Sequence, residues 1–119
     1  MANFILADGE YRLLSLIWAH APIPSGQLVQ LCQQEFGWKK STTYTQVRRL
    51  ADKGLLQNER SIVTPLVSRD QVQREESDRF VSRTFGGSLP GFVAAFLKGR
   101  TLSDAEAEEL KQLIDQHRG

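Results

Sequence analysis

Four backbone breakers, Pro22, Gly37, Gly54 and Pro65, divide the first 65 residues into three helix-length segments and a last one suited to a hairpin. Proline disfavours helical backbone in the residue before it, and glycine supplies the left-handed conformation that ends a helix. In the first segment Tyr11, Leu14, Ile17, Trp18 and Ala21 recur at helical spacing, with Asp8 as the expected N-cap. In the second, Ser25 is the expected cap, with Leu28, Leu31 and Cys32 on one face and Gln27, Gln30, Gln33 and Gln34 largely on the other. A short link, Trp38-Lys39-Lys40, leads to a third helix with Ser41 as its expected cap and Thr43, Val47, Leu50 and Ala51 facing inward. After Gly54, Leu55-Leu56 begin an extended segment, Gln57 to Ser61 carry turn chemistry, and Ile62-Val63-Thr64 read as a strand.

Three helices followed by a tight β-hairpin is the order of a winged helix-turn-helix. The remainder reads as helical. Ser68 and Gln71 form a capping box that opens a helix through about Thr84, and Gly86-Gly87 end it. Ser88 opens another, with Leu89, Phe92, Val93, Phe96 and Leu97 forming a wide apolar stripe as far as Gly99. A second capping box, Ser103 to Glu106, precedes Ala107, Leu110, Leu113, Ile114 and His117 on one face. The expected fold is therefore mostly α: a winged helix-turn-helix with a short hairpin wing over residues 1–67, then a helical dimerisation arm over 68–119. Short helices of this kind cannot bury much of their own apolar surface. The stripe wants a partner, either the winged helix or a second copy of the chain. Phe80, Leu89, Phe92, Val93, Phe96, Leu97, Leu110, Leu113 and Ile114 are the expected dimer interface.

Composition narrows the function. The chain has 119 residues, 40% hydrophobic and 24% charged, ordinary for a soluble single domain or a small domain with an appendage. One cysteine, Cys32, excludes an intramolecular disulfide and every multi-cysteine metal site. No apolar run approaches the ~20 residues that span a bilayer, and the first twenty residues do not read as a signal peptide, so a cytoplasmic protein is expected. His20 and His117 lie far apart in sequence without ligand spacing, and each reads as a helix-end residue. Cys32 sits on an inward face and reads as a small core residue. Glu106, Glu108 and Glu109 suit the positive end of their helix dipole. Gly86-Gly87 lack the spacing and lysine of a phosphate loop. Neither an enzyme nor a metal or cofactor site is expected.

The formal net charge of +1 hides a segregation. Between Gly37 and Arg60 six cations, Lys39, Lys40, Arg48, Arg49, Lys53 and Arg60, face two acids, while the stretch from Ser103 onward is acidic. A helix that reads the major groove must offer short hydrogen-bonding side chains near its N-terminus and cations where it crosses the phosphates. Ser41, Thr42, Thr45 and Gln46 are the first kind, with Tyr44 at their edge; Lys39, Lys40, Arg48 and Arg49 are the second. Threonine places a methyl or a hydroxyl at a base or phosphate, and glutamine pairs with adenine.

Several short motifs in one order then resemble a known family over nearly the whole chain. They are Leu6-Ala7-Asp8-Gly9-Glu10 with Leu16-Ile17-Trp18, Gly37-Trp38, Thr42, Thr45, Arg49-Leu50 and Lys53-Gly54-Leu55-Leu56. Pro65-Leu66-Val67-Ser68-Arg69, Phe85-Gly86-Gly87-Ser88-Leu89, and Leu102-Ser103 through Glu108-Glu109-Leu110 follow. The chain resembles the penicillinase-repressor family, the BlaI/MecI/CopY type of bacterial winged-helix regulators. The resemblance implies a homodimer that binds a palindromic double-stranded DNA operator and represses transcription. It marks Thr42 and Thr45 as base or phosphate contacts and Arg49 as a phosphate clamp.

Three departures bear on function. The family's wing is longer; here only Gln57 to Thr64 separate Leu56 from Pro65, which leaves Arg60 as the expected phosphate ligand there. The paired C-terminal cysteines of the copper-responsive branch are missing, which excludes that kind of metal sensing. The antibiotic-resistance members are cut before a phenylalanine of the dimer helix, usually after asparagine, and the matching pair here is Ala95-Phe96. That pair is the candidate cleavage site, and a membrane-bound sensor protease would be the partner it requires, although dimer core is the preferred reading of Phe96. The expected function is thus a DNA-binding repressor with its third helix in the major groove. The alternative is a winged-helix protein-interaction module without specific DNA binding, which would have no need of the basic third helix.

Overall fold

The computed structural model describes residues 2–119; Met1, the first residue of the expected 1–67 domain, lies outside them. Chain order is α1 (Asp8–His20), β1 (Ile23–Pro24), α2 (Ser25–Phe36), α3 (Lys40–Asp52), β2 (Leu56–Glu59), β3 (Ile62–Pro65), α4 (Arg69–Phe85), α5 (Leu89–Leu97) and α6 (Asp104–Gln116). The chain forms two compact units, one ending at Asp78 and the other running from Arg79 to Gly119, so the division falls within α4.

The first unit is built on one core. Leu13, Leu14 and Ile17 of α1, Leu28 and Cys32 of α2, and Val47 and Leu50 of α3 meet Leu55, Leu56, Val63, Val67 and Val72 there. Full burial of such a side chain contributes about 1.5–3 kcal/mol, so the three helices are held mainly by this shared face. Helical spacing picked out Leu14 and Ile17 but omitted Leu13, which is equally buried.

The helix starts depart from the expected caps. Asp8 lies inside α1, whose N-cap is Ala7; its N–H is satisfied by Glu10 Oε1 at 2.9 Å. Ser41 lies within the first turn of α3, because the Thr43 N–H already donates to the Lys39 carbonyl at 3.1 Å. Ser25 is the first residue of α2 and is buried, with its N–H donating to the Ser61 carbonyl at 2.8 Å. The C-terminal and later signals agree with expectation. At Gly54, whose φ is +76°, the Leu55 N–H donates to the Leu50 carbonyl at 3.0 Å, a glycine-ended helix stop that aims the chain into β2. Ser68 and Gln71 form their reciprocal box, at 3.0 and 3.3 Å. Ser88 and Ser103 each accept the expected backbone N–H, from Gly91 and Glu106.

The sheet has the order β1-β3-β2, all antiparallel. Gln57, Asn58 and Glu59, expected as turn, instead pair with Thr64, Val63 and Ile62. The turn shrinks to Arg60 and Ser61, at φ 53° and 63°. Two successive positive-φ residues match the right-handed twist of a hairpin, but side-chain-bearing residues hold that conformation at some cost. β1 was not anticipated; two residues beside Pro22 carry no periodic signal, yet they pair with Val63 and Ile62 and close the sheet.

In the second unit Phe80, Phe85 and Phe92 pack edge to face, with centroids 5.5–5.9 Å apart. α5 and α6 contain no fully buried residue. Their apolar faces border an open groove of about 550 Å³, lined by Phe92, Val93, Phe96, Leu97, Leu110 and Leu113 with Glu106 and Glu109.

An ion pair between a buried carboxylate and a half-buried ammonium joins α1 to the end of α3. Lys53 Nζ lies 2.7 Å from Glu10 Oε2 and donates to Glu10 Oε1 at 2.8 Å. Burial alone would raise the Glu10 pKa; the Lys53 hydrogen bond, the Ala7 N–H and the charges of Lys53 and Arg49 together bring it below the usual range. A lowered carboxyl pKa contributes stability that is complete above the ordinary glutamate range and is lost as pH falls through the folded-state value. Glu76 has the opposite shift, raised by burial and by the charge of Asp8, so the pair is isolated by comparing variants. Lys53→Met, which strands a buried carboxylate, should cost about 3 kcal/mol at pH 7. Urea unfolding as a function of pH checks this: the gap between wild type and variant should narrow on acidification.

Candidate nucleic-acid interface

The third helix presents two faces. Thr43, Val47 and Leu50 are buried, while Ser41, Thr45, Arg48 and Arg49 are exposed and Thr42, Tyr44 and Gln46 are half-buried. Apart from Gln46, the expected contact residues of α3 are therefore brought together on its non-core half, with Lys39 and Lys40 exposed at its start. Lys40 Nζ lies over the Tyr44 ring, 5.9 Å from its centroid. The Thr45 hydroxyl donates to the Ser41 carbonyl at 2.9 Å. Arg49 is close enough to Glu10 for its charge to help lower that carboxyl's pKa.

Gln46 stands apart from this set. Its amide nitrogen approaches Gly9 on α1, and its Oε1 is buried without a hydrogen-bond partner. Arg60 is exposed at the hairpin tip, on a different element from the rest. That tip is tied back to the start of α2 through Ser61, which keeps the wing short and close.

The segment entering α3 rests on aromatic packing that spacing alone did not reveal. Phe36 and Trp38 pack with centroids 4.9 Å apart and ring planes tilted by 47°, and Trp38 packs against Gly9, where an added Cβ would lie 3.5 Å from Trp38 Cζ2. Arg12 of α1, absent from the expected contacts, lies over Phe36 at 5.7 Å. Its signal in the sequence is a cation one turn after Gly9, on a helix otherwise read only for its apolar stripe.

The cysteine and the two histidines are dispersed. Cys32 is fully buried, and desolvation pushes its thiol pKa up, with the Thr43 hydroxyl acting in the other direction. His20 ends α1, and His117 Nδ1 lies 2.9 Å from the Leu113 carbonyl at the end of α6. Among the described residues no group of three His, Cys, Asp or Glu side chains could hold a metal ion. No helix among them is long and apolar enough to cross a membrane.

Three helices, a three-stranded antiparallel sheet and an exposed cationic third helix define a winged helix-turn-helix protein of the DNA-binding type. The chain belongs to the penicillinase repressor family, whose model matches residues 6–116. It is 26% identical to the penicillinase repressor of Bacillus licheniformis over 117 residues, 95% of this chain and 91% of that protein. It is 21% identical to the methicillin resistance regulatory protein MecI of Staphylococcus aureus (strain N315) over 118 residues, 96% of each. Among solved structures, the solution structure of the DNA binding domain of the repressor BlaI matches with a TM-score of 0.53 and 25% identity, covering 60% of this chain and 93% of that one. These matches bear out the family resemblance and the winged-helix reading, and the family is one of repressors rather than enzymes.

A buried, high-pKa thiol is a poor nucleophile. Cys32 should therefore resist a soluble thiol reagent in the native protein at neutral pH and react fully in denaturing urea; rapid native labelling would place it at the surface.

Proposed function

We propose that this chain is a DNA-binding transcriptional repressor that acts in the cytoplasm as a homodimer on a palindromic operator, with α3 in the major groove. The observation that carries the reading is the exposed side of α3, where short hydroxyl side chains and arginines lie together in a winged helix of the repressor family. Thr42 and Thr45 are the proposed base or phosphate contacts. The Thr45 hydroxyl already donates to Ser41, so its methyl group is its distinctive offering to a base, of the kind thymine accepts. Arg49, Arg48, Lys39 and Lys40 are proposed phosphate ligands, with Ser41 and Tyr44 beside them and Arg60 at the wing. Gln46 reaches adenine only by swinging its amide away from Gly9.

Residues 1–67 would bind DNA and residues 68–119 would dimerise. The dimer is supported by the apolar surface of the second unit, where Leu89, Phe96, Leu113 and Ile114 are each more than half exposed in the single chain. Phe80, Phe92, Val93, Leu97 and Leu110 would complete that interface. Two-fold protein symmetry then requires a two-fold operator. Ala95 and Phe96 are exposed on α5 and remain the candidate cleavage pair for a membrane-bound sensor protease. No metal or other cofactor enters this scheme.

Selection of bound duplexes from a random library near physiological salt tests the repressor. An enriched inverted repeat is the expected result; absence of enrichment would favour the protein-interaction module instead. Against the selected operator, Arg49→Ala should weaken binding to all sequences and flatten its salt dependence, whereas Thr45→Ser should relax preference at one position of each half-site. The dimer is tested separately. Phe92→Asp should sediment as a monomer and lose operator affinity through loss of two-site binding, whereas a dimeric variant would place the interface elsewhere.

A further inference from the structure

Arg12 lies outside both the third helix and the wing, yet the fold stations it at the entrance to α3. Its guanidinium lies over the Phe36 ring at 5.7 Å, and Phe36 packs at a tilt against Trp38, the residue directly before Lys39 and Lys40. Trp38 is in turn seated on Gly9, three residues before Arg12 on α1. One helix thus supplies both the floor under Trp38 and the cation over Phe36. Arg12 is exposed, and no carboxylate lies within ion-pairing distance; the ion pairs among the described residues are Lys53–Glu10 and Arg118–Asp115.

We propose that Arg12 is an additional DNA phosphate ligand, held on the Phe36–Trp38 aromatic ledge so that it extends the cationic surface of Lys39 and Lys40 onto α1. The cation–π contact engages none of the guanidinium N–H groups in a hydrogen bond, which leaves them for two phosphate oxygens at once. A side chain already parked on a ring also loses less conformational freedom when it binds than one moving freely in solvent. Lys40 is parked in the same manner on Tyr44, so the two cations flanking the start of α3 share one device. The contact is with backbone and carries no base preference.

The inference rests on the proposed DNA-binding function, and the test separates the two. Wild type, Arg12→Gln and Arg12→Lys are titrated with the selected operator duplex and with a scrambled duplex across a salt series. Arg12→Gln should weaken both duplexes by a similar factor and reduce the slope of log K against log salt by about 0.9 for each protomer bound. Arg12→Lys should recover the slope, because the charge is kept, while recovering only part of the affinity, because the two-oxygen geometry is lost. Phe36→Leu, which keeps an apolar core residue and removes the ring, should weaken binding in the same sequence-independent manner, with unchanged α-helical circular dichroism as its folding control. A wild type without salt-dependent duplex binding would overturn the DNA-binding function itself. A wild type that binds, beside an Arg12→Gln protein with the same affinity and slope, would overturn the role of Arg12 alone.

Discussion

The ion pair between Glu10 and Lys53 fixes where α3 stands. Lys53 is the residue after the helix, and its ammonium reaches back both to the Glu10 carboxylate and to the Ile5 carbonyl, at 2.6 Å. Its own carbonyl accepts the Asn3 N–H at 2.7 Å. One residue therefore ties the chain before α1, the first turn of α1 and the last turn of α3 together. A buried pair of this kind is poor evidence for stability, since an apolar pair of the same size often does as well. What it supplies is direction: a carboxylate that is 94% removed from solvent on its side chain accepts very few alternative placements of its partner. The helix stop at Gly54 follows at once, so the orientation of the hairpin inherits the same constraint.

α1 is the frame of the first unit, and its faces divide the work. Glu10 holds α3, while Gly9 and Arg12 hold the Phe36–Trp38 connection. Trp18 takes the far end, where its Nε1 donates to the Val67 carbonyl at 2.9 Å and its ring carries the Arg69 guanidinium at 4.9 Å. The entry to α4 is thereby set by the same helix that positions α3. Separate stretches of the family pattern, Leu6 to Glu10 and Leu16 to Trp18 on one side, and Gly37-Trp38, Lys53-Gly54 and Val67 to Arg69 on the other, are thus the two sides of three contacts. Their co-occurrence in sequence has a geometric cause.

The helices were legible because their stops are chemically unambiguous: Gly37 and Gly54 adopt the left-handed backbone that their positions imply. Their starts were less so. A serine or aspartate near a helix start is a cap only if no earlier residue completes the turn, and at Ser41 and Asp8 an earlier one does. The hairpin turn was overestimated because Gln57, Asn58 and Glu59 are polar for a different reason: they lie on an exposed strand whose partner β3 supplies the buried Val63. The exposed side of α3 was read correctly from periodicity, apart from the inward turn of Gln46. Arg12 was missed because its significance is tertiary. It acquires a location only once Phe36 and Trp38 are folded against α1.

The second unit gives the proposed dimer its physical basis. Its aromatic cluster of Phe80, Phe85, Phe92 and Phe96 is internally packed, yet α5 and α6 bury no residue fully within one chain. A partner copy would cover this surface, and its stability would then depend on protomer concentration rather than on the chain alone. In the proposed dimer each recognition helix with its short wing offers few contacts to one half-site, and the second half-site would add affinity through its high effective concentration. Under the proposed assembly, anything that opens α5 weakens binding without touching a DNA-contacting residue. Phe96, with the Arg100 guanidinium 4.4 Å above its ring, sits on that element. In that proposed dimer, breaking the link between the two half-sites would weaken binding while each winged helix stays intact.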